Sequence, residues 1–378
     1  MVAAQVRVAD NVARNEALIN GELYDKPPLP GGARLITNVF TSWDGRWYLE
    51  IARTGYPRHV PPNITFDQLE ARTAFFPLFP SIVRVVNAII PGGDTIAALL
   101  VNLLLGGIAI VLMGWLARSW WGDKVAGRAM VLMAVFPASV VLTMAYSEAL
   151  LLALAAGCLL ALDRRQWVLA GALAALGTAA RPNGVALCAA CAVAAAIAIH
   201  QRREWRSLIA PLLSPIGFLG FQLWVGWHAN ERGVWARVQR EAWEEGTSFG
   251  LTALRRSWGA FRHPLSSPTD TVTALSVLTM VALLATMWRR RPSLPAVAYT
   301  AIVLALMLAP STVTARPRFL YTAFPLVLCF AAWWENSSWL QRVLHGDRDG
   351  NAWALFVGLN CAGLAALTAL YGVYGVIP

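Results

Sequence analysis

The sequence predicts an all-α, polytopic membrane protein: about ten transmembrane helices, with two interfacial amphipathic helices in the first outward loop. Three observations carry this. Of 378 residues, 57% are apolar and only 14% are charged, against roughly a quarter charged in soluble domains. Mean hydropathy is +0.53. Basic residues also gather in every second short loop between apolar runs, as the positive-inside bias requires. The balance excludes a disordered chain and a disulfide scaffold. Loop arginines account for the net charge of +10, so no nucleic-acid partner is expected.

Three divisions follow. Residues 1–38 are polar, carry Pro27, Pro28, Pro30, Gly31 and Gly32, and read as a flexible segment. Residues 39–93 form an outward loop, and residues 94–378 form the transmembrane bundle. A span needs about 20 apolar residues. Candidates run near 94–117, 129–145, 146–162, 167–181, 184–199, 207–227, 271–288, 295–312, 318–335 and 352–375.

Arginine-bearing loops at 118–128, 163–166, 200–206, 289–292 and 336–351 would face the cytoplasm. Those at 146–148, 181–184, 228–270 and 314–318 would face outward. Several tryptophans, among them Trp120, Trp167, Trp227 and Trp288, fall near span ends, as an aromatic belt requires. This parity puts residues 1–93 outside, yet nothing before Thr41 resembles a signal peptide or a span. A first helix is therefore expected upstream of Met1. Cys158, Cys188, Cys191, Cys329 and Cys361 all lie in apolar stretches and read as small helix residues, the CxxC spacing of Cys188 and Cys191 included.

The outward segment 39–93 is the most informative. Thr41 or Ser42 offers a helix cap. Trp43, Trp47 and Ile51 then recur on one face, and Gly55 and Pro57 end the run. The pattern fits an interfacial helix, and a plain membrane anchor would show it too. Asp44 stands between two tryptophans at the expected surface, where a carboxylate needs a partner or a task. It reads either as a general base or as a cap or ion pair with Arg46. Phe75-Phe76-Pro77-Leu78-Phe79-Pro80 opens a second interfacial helix reaching Ile90. Phe76 and Phe79 would line a lipid groove or simply pack.

The run Trp43-Asp44, Ile51-Ala52, Gly55-Tyr56-Pro57 and then Phe75 to Pro80 resembles the PIG-V-like mannosyltransferases of the GT-C superfamily. Asn102, Tyr146-Ser147-Glu148, Gly171, Ala180-Arg181-Pro182-Asn183-Gly184, Arg316-Pro317-Arg318-Phe319 and Phe324-Pro325 follow in the family's order. The resemblance covers roughly residues 40–335. It implies a GT-C bundle moving mannose, with inversion, from a polyprenyl-phosphate-mannose donor to a glycolipid or secreted-protein acceptor on the non-cytoplasmic face. No cofactor is implied. Asp44 takes the family's general-base position.

The chemistry suits these residues. A lipid phosphate leaves readily, so one base and some cations suffice. Arg181, Arg316 and Arg318, at outward helix ends, are the expected phosphate ligands, although an interfacial arginine can simply snorkel to headgroups. Trp43, Arg46, Tyr48 and Glu148 are the expected substrate-positioning residues; Glu148 equally suits a cap or surface pair. His59, His228 and His263 lack ligand spacing, and no metal is assigned. Around residues 234–245 the 228–270 loop reads as an amphipathic helix, either a lid or acceptor platform, or a solvated helix resting on the membrane. A non-enzymatic flippase or carrier of lipid-linked sugars is the alternative, disfavoured by the lack of charge at mid-depth. Arginine in place of lysine, except at Lys26 and Lys124, together with abundant alanine, points to a GC-rich, actinobacterial source and to the plasma membrane. Oligomeric state is left open.

Overall fold

Helix Glu148–Asp163 is the buried axis of the molecule. Its leucines and alanines are strong helix formers and leave no polar face, so it is covered all round, by helices Gly93–Trp121, Trp167–Ala180 and Ala186–Arg202 among others. The computed structural model describes residues 2–20, 31–312, 314–337 and 351–373. Among these the regular secondary structure is helical, with one isolated bridge, Thr247–Pro310.

Five of the described helical stretches are long and apolar enough to cross a membrane: Gly93–Trp121, Pro182–Arg202, Trp205–His228, Pro268–Arg290 and Asn351–Gly372. Shorter apolar helices, Trp167–Ala180 and Leu294–Leu308 among them, lie beside these. Two expected spans are broken. The one near 129–145 ends as a helix at Val135 and continues as the 3₁₀ turn Pro137–Leu142. The one near 318–335 divides into Pro317–Thr322 and Pro325–Asn336. In each case a proline removes the N–H that would continue the ladder. Irregular backbone is tolerated where protein buries it, as it does at residues 144–147 and 314–318 here.

The stretch 1–38, expected to be flexible, contains helix Val2–Asn20 and the start of helix Gly32–Phe40. That second helix displaces the expected cap. Thr41 Oγ1 donates to Thr37 O at 2.9 Å and Ser42 Oγ donates to Val39 O at 2.7 Å, so both hydroxyls close the helix behind them. The next helix begins instead at Asp44 and runs to Thr54, with Trp43 at φ 56° before it. The second helix of this loop is Leu78–Asn87. Arg84 on it donates to the carbonyls of Ala52 (2.7 Å) and Ile51 (2.9 Å), capping the C-terminus of the first.

Trp47 and Ile51, from the stripe expected at the interface, are covered by protein. Trp47 packs against Phe66 and Phe75, in a buried cluster that the later loop joins. Helix Val234–Ala242 lays Val234 and Val238, both fully buried, onto the 3₁₀ turn Leu69–Ala74. Trp235 Nε1 donates to Ala74 O at 3.0 Å.

Candidate active site

Asp44 opens its helix at the mouth of a cavity of about 640 Å³. Behind it, the irregular segment 144–147 is pinned to the first loop. Ala145 N donates to Phe40 O at 2.8 Å and the Tyr146 hydroxyl to Ser42 O at 3.1 Å. Asn102, fully buried in helix Gly93–Trp121, donates its amide to the carbonyls of Met144 and Tyr146. This bracket sets Ser147 and Glu148 at the start of the central helix, where a carboxylate favours the positive end of the helix dipole.

Glu148 is fully buried and is ion-paired with Arg181 Nη1. Arg318 Nη1 lies 2.6 Å from Asp44 Oδ2 and 3.6 Å from Glu148 Oε1. Two carboxylates and two guanidiniums therefore alternate across one wall, Asp44–Arg318–Glu148–Arg181. The Arg318 guanidinium also sits 5.6 Å over the Tyr146 ring and 5.0 Å over Phe319. Arg181 reaches the cavity from an extended residue after helix Trp167–Ala180. The turn that follows crowds that helix so closely that a Cβ on Gly184 would lie 2.1 Å from Gly177 O. Only glycine fits there.

Tyr48, one turn beyond Asp44, lines the same cavity and shares a 2.7 Å hydrogen bond with Ser147 Oγ. Burial raises its phenol pKa well above the ordinary range, so it stays protonated. Trp43, Pro182, Asn183 and Phe319 complete this side.

The opposite wall is aromatic and acidic. Trp243 meets Phe66 and Phe75 edge-on, with ring centroids 5.6 and 5.7 Å apart. Asp67, Gln239, Glu241, Glu244 and Glu245 surround them. Glu245 is committed to structure, accepting from Ser311 N (3.1 Å) and Thr312 N (3.2 Å). The 234–245 stretch thus roofs the cavity rather than resting apart from it.

Four expected residues do not line the cavity; Glu148 lies behind Arg181 and Arg318. Arg46 does not pair with Asp44; its guanidinium lies 4.6 Å over the Trp47 ring and donates to Asp67 O at 3.4 Å. Arg316 is buried but does not line the cavity. Phe79 is fully buried beneath Tyr48 (5.3 Å between rings) and does not reach the cavity, whereas Phe76 contributes to its wall and also packs at 4.5 Å on Phe221.

The sequence reading did not single out Asn102's bracket as positioning, Ser147 as the partner of Tyr48, or the Phe66–Phe75–Trp243 wall. For Asn102 a signal existed: an asparagine inside an apolar span is costly unless it has partners. Among the described residues, no group of three His, Cys, Asp or Glu side chains is arranged to hold a metal ion.

Residues 32–218 match the family model described as Mannosyltransferase (PIG-V). That segment includes Asp44, Glu148 and Arg181 but stops short of Arg318. No curated protein matches the chain. Among solved structures, ArnT from Cupriavidus metallidurans bound to undecaprenyl phosphate is similar with a TM-score of 0.53 at 15% identity, over 90% of this chain and 74% of that one. The apo state of the same protein gives 0.52 at 14% identity, over 91% and 74%. Residues 32–218 thus carry the match to the PIG-V mannosyltransferase family, and the chain is a multi-pass membrane glycosyltransferase with the GT-C fold.

Proposed function

We propose that the protein transfers mannose from a polyprenyl-phosphate-mannose donor to a hydroxyl of a glycolipid or secreted-protein acceptor. The reaction takes place on the outer face of the plasma membrane and inverts the anomeric centre. The observation that carries this reading is the contact of Asp44 with Arg318 in a cavity also lined by Arg181, which buried Glu148 holds from behind. A base for the acceptor and cations for the leaving phosphate stand side by side. That the related fold of ArnT was solved with undecaprenyl phosphate supports a lipid-phosphate donor.

In this mechanism Arg318 and Arg181 take the donor phosphate. A phosphate oxygen draws the Arg318 guanidinium from Asp44 and frees that carboxylate for the acceptor hydroxyl. Asp44 accepts the hydroxyl proton as the oxygen attacks the anomeric carbon, and the bond to the phosphate oxygen breaks. The phosphate leaves without needing a proton, its charge held by the two arginines. One displacement inverts the centre. Glu148 holds the arginines, and the Tyr48 hydroxyl stays a neutral donor. The aromatic and acidic wall suits a sugar, since rings cover C–H faces while Asp67 and Glu244 offer acceptors to hydroxyls.

The test is transfer of labelled mannose from a polyprenyl donor by the purified protein. Asp44→Asn should lower turnover by about 10³-fold, within the range of a lost general base. Wild-type turnover in that variant would remove Asp44 from the mechanism.

A further inference from the structure

A second concavity, of about 680 Å³, lies on the far side of helix Asp44–Thr54, between the first loop and helix Ile216–His228. Its lower walls are apolar: Ile51, Pro77 and Pro80 face Ile216, Phe221 and Trp224. Its upper rim carries Arg58, Arg84 and His228, and no acidic residue lines it. Gly220 leaves the groove open, with no atom within 4 Å of where its Cβ would stand. The lining from Ile216 to His228 rises about 18 Å along the helix, more than one half of a bilayer core.

The rim cations are available. Arg58 is exposed, and no ion pair joins it to another of the described residues. Arg84 spends Nε and Nη2 on the carbonyls of Ala52 and Ile51 but has no carboxylate partner among the described residues. His228 stacks on Trp224 (4.9 Å between centroids) and meets Tyr56 O at 3.2 Å. Two guanidiniums above an apolar channel on a membrane-facing helix match a phosphate headgroup above an acyl chain.

We propose that this groove binds one anionic phospholipid of the surrounding bilayer, on the leaflet nearest Asp44. A donor lipid is the wrong occupant. The packed Phe76, Phe218 and Phe221 rings, with Phe76–Phe221 centroids 4.5 Å apart, wall the groove off from Arg318, where a donor phosphate must arrive. This choice of occupant rests on the reading of Asp44 and Arg318 given above. The lipid binding itself does not.

The test is native mass spectrometry of the full chain released from nanodiscs of equal phosphatidylglycerol and phosphatidylcholine. Wild type should retain one phosphatidylglycerol in preference. Arg58→Ala should lower that preference about fivefold, the effect of one interfacial cation. Gly220→Leu should fill the channel and abolish the adduct without lowering the thermal midpoint. Arg58→Ala, at the surface, keeps the proposal testable should Gly220→Leu misfold. Asp44→Asn should retain the lipid, so failure of the transferase reading shows separately as full transfer by that variant. Equal retention of both lipids, or an adduct indifferent to both groove variants, would overturn the proposal. So would displacement of phosphatidylglycerol by added polyprenyl phosphate, which would assign the groove to the donor.

Discussion

Two arginine–carboxylate clusters in this molecule share a chemistry and differ in how completely they use it. In the roof, Arg237 spends its donors fully. It holds Glu231 through Nε (2.6 Å) and Nη2 (2.7 Å), Glu241 through Nη1 (2.8 Å), and the carbonyls of Pro61 (3.0 Å) and Val60 (3.1 Å). In the cavity wall, the Nε atoms of Arg181 and Arg318 are buried with no hydrogen-bond partner among the described residues. A buried, unsatisfied donor costs about 1–3 kcal/mol. A cluster that only braces the fold has no reason to carry that cost. The roof cluster ties two loops together; the cavity cluster keeps open donors that an anionic ligand would complete.

Four substitutions or titrations would break or sharpen this contrast. Glu148→Gln removes the charge that holds Arg181 and shares Arg318. Loss of one partner from a buried pair should destabilise the protein by about 3–5 kcal/mol, read as a large fall in thermal midpoint in detergent. An unchanged midpoint would mean the cavity cluster is not an electrostatic unit. Arg318→Lys keeps the charge but loses the planar fork. Labelled-mannose transfer should drop about 100-fold with little change in midpoint, whereas a pure stability loss would make Arg318 another brace.

Arg237→Gln should behave in the opposite sense. The expected cost is about 1–2 kcal/mol of stability for hydrogen bonds to half-exposed charges, visible as faster amide exchange across Val234–Ala242. The smallest effect is with pH. Hydrogen bonds from Arg237 hold the Glu231 pKa below its ordinary value of 4.5. Its contribution is therefore complete above that value and fades as pH falls through the depressed one. Amide protection of Val234–Ala242 should stay level from pH 8 to 5 and decline only below pH 4.5. A decline already at pH 6 would assign the roof's stability to another group.

The helices and the charged side of the cavity, Asp44, Arg181 and Arg318, were legible in the sequence, and the failures have local causes. Asp44 and Arg46 stand two residues apart, and on a helix such neighbours point away from each other. The expected ion pair was thus geometrically disfavoured, and Asp44 found its partner elsewhere. Thr41 and Ser42 have the composition of a cap, but a preceding helix claimed both hydroxyls. Arg316 and Arg318 looked equivalent in the motif. Yet Arg316 is extended, at φ −73° and ψ 144°, while Arg318 lies inside helix Pro317–Thr322, and only the latter turns to the cavity. The aromatic wall and the roof clasp join residues more than a hundred positions apart, as in the contact of Glu241 with Ile64 N. No periodicity within one segment reports such contacts.

The Asp44–Arg318 hydrogen bond spans 274 residues of chain. At ordinary rates of synthesis, roughly 15 to 50 s separate the appearance of its two ends. Throughout that interval Asp44 has left the ribosome without its partner. Glu148 and Arg181 meet far earlier and give the nascent chain a neutral pair to bury. The charge of the site is thus assembled in two instalments, the second only after 274 further residues have been made.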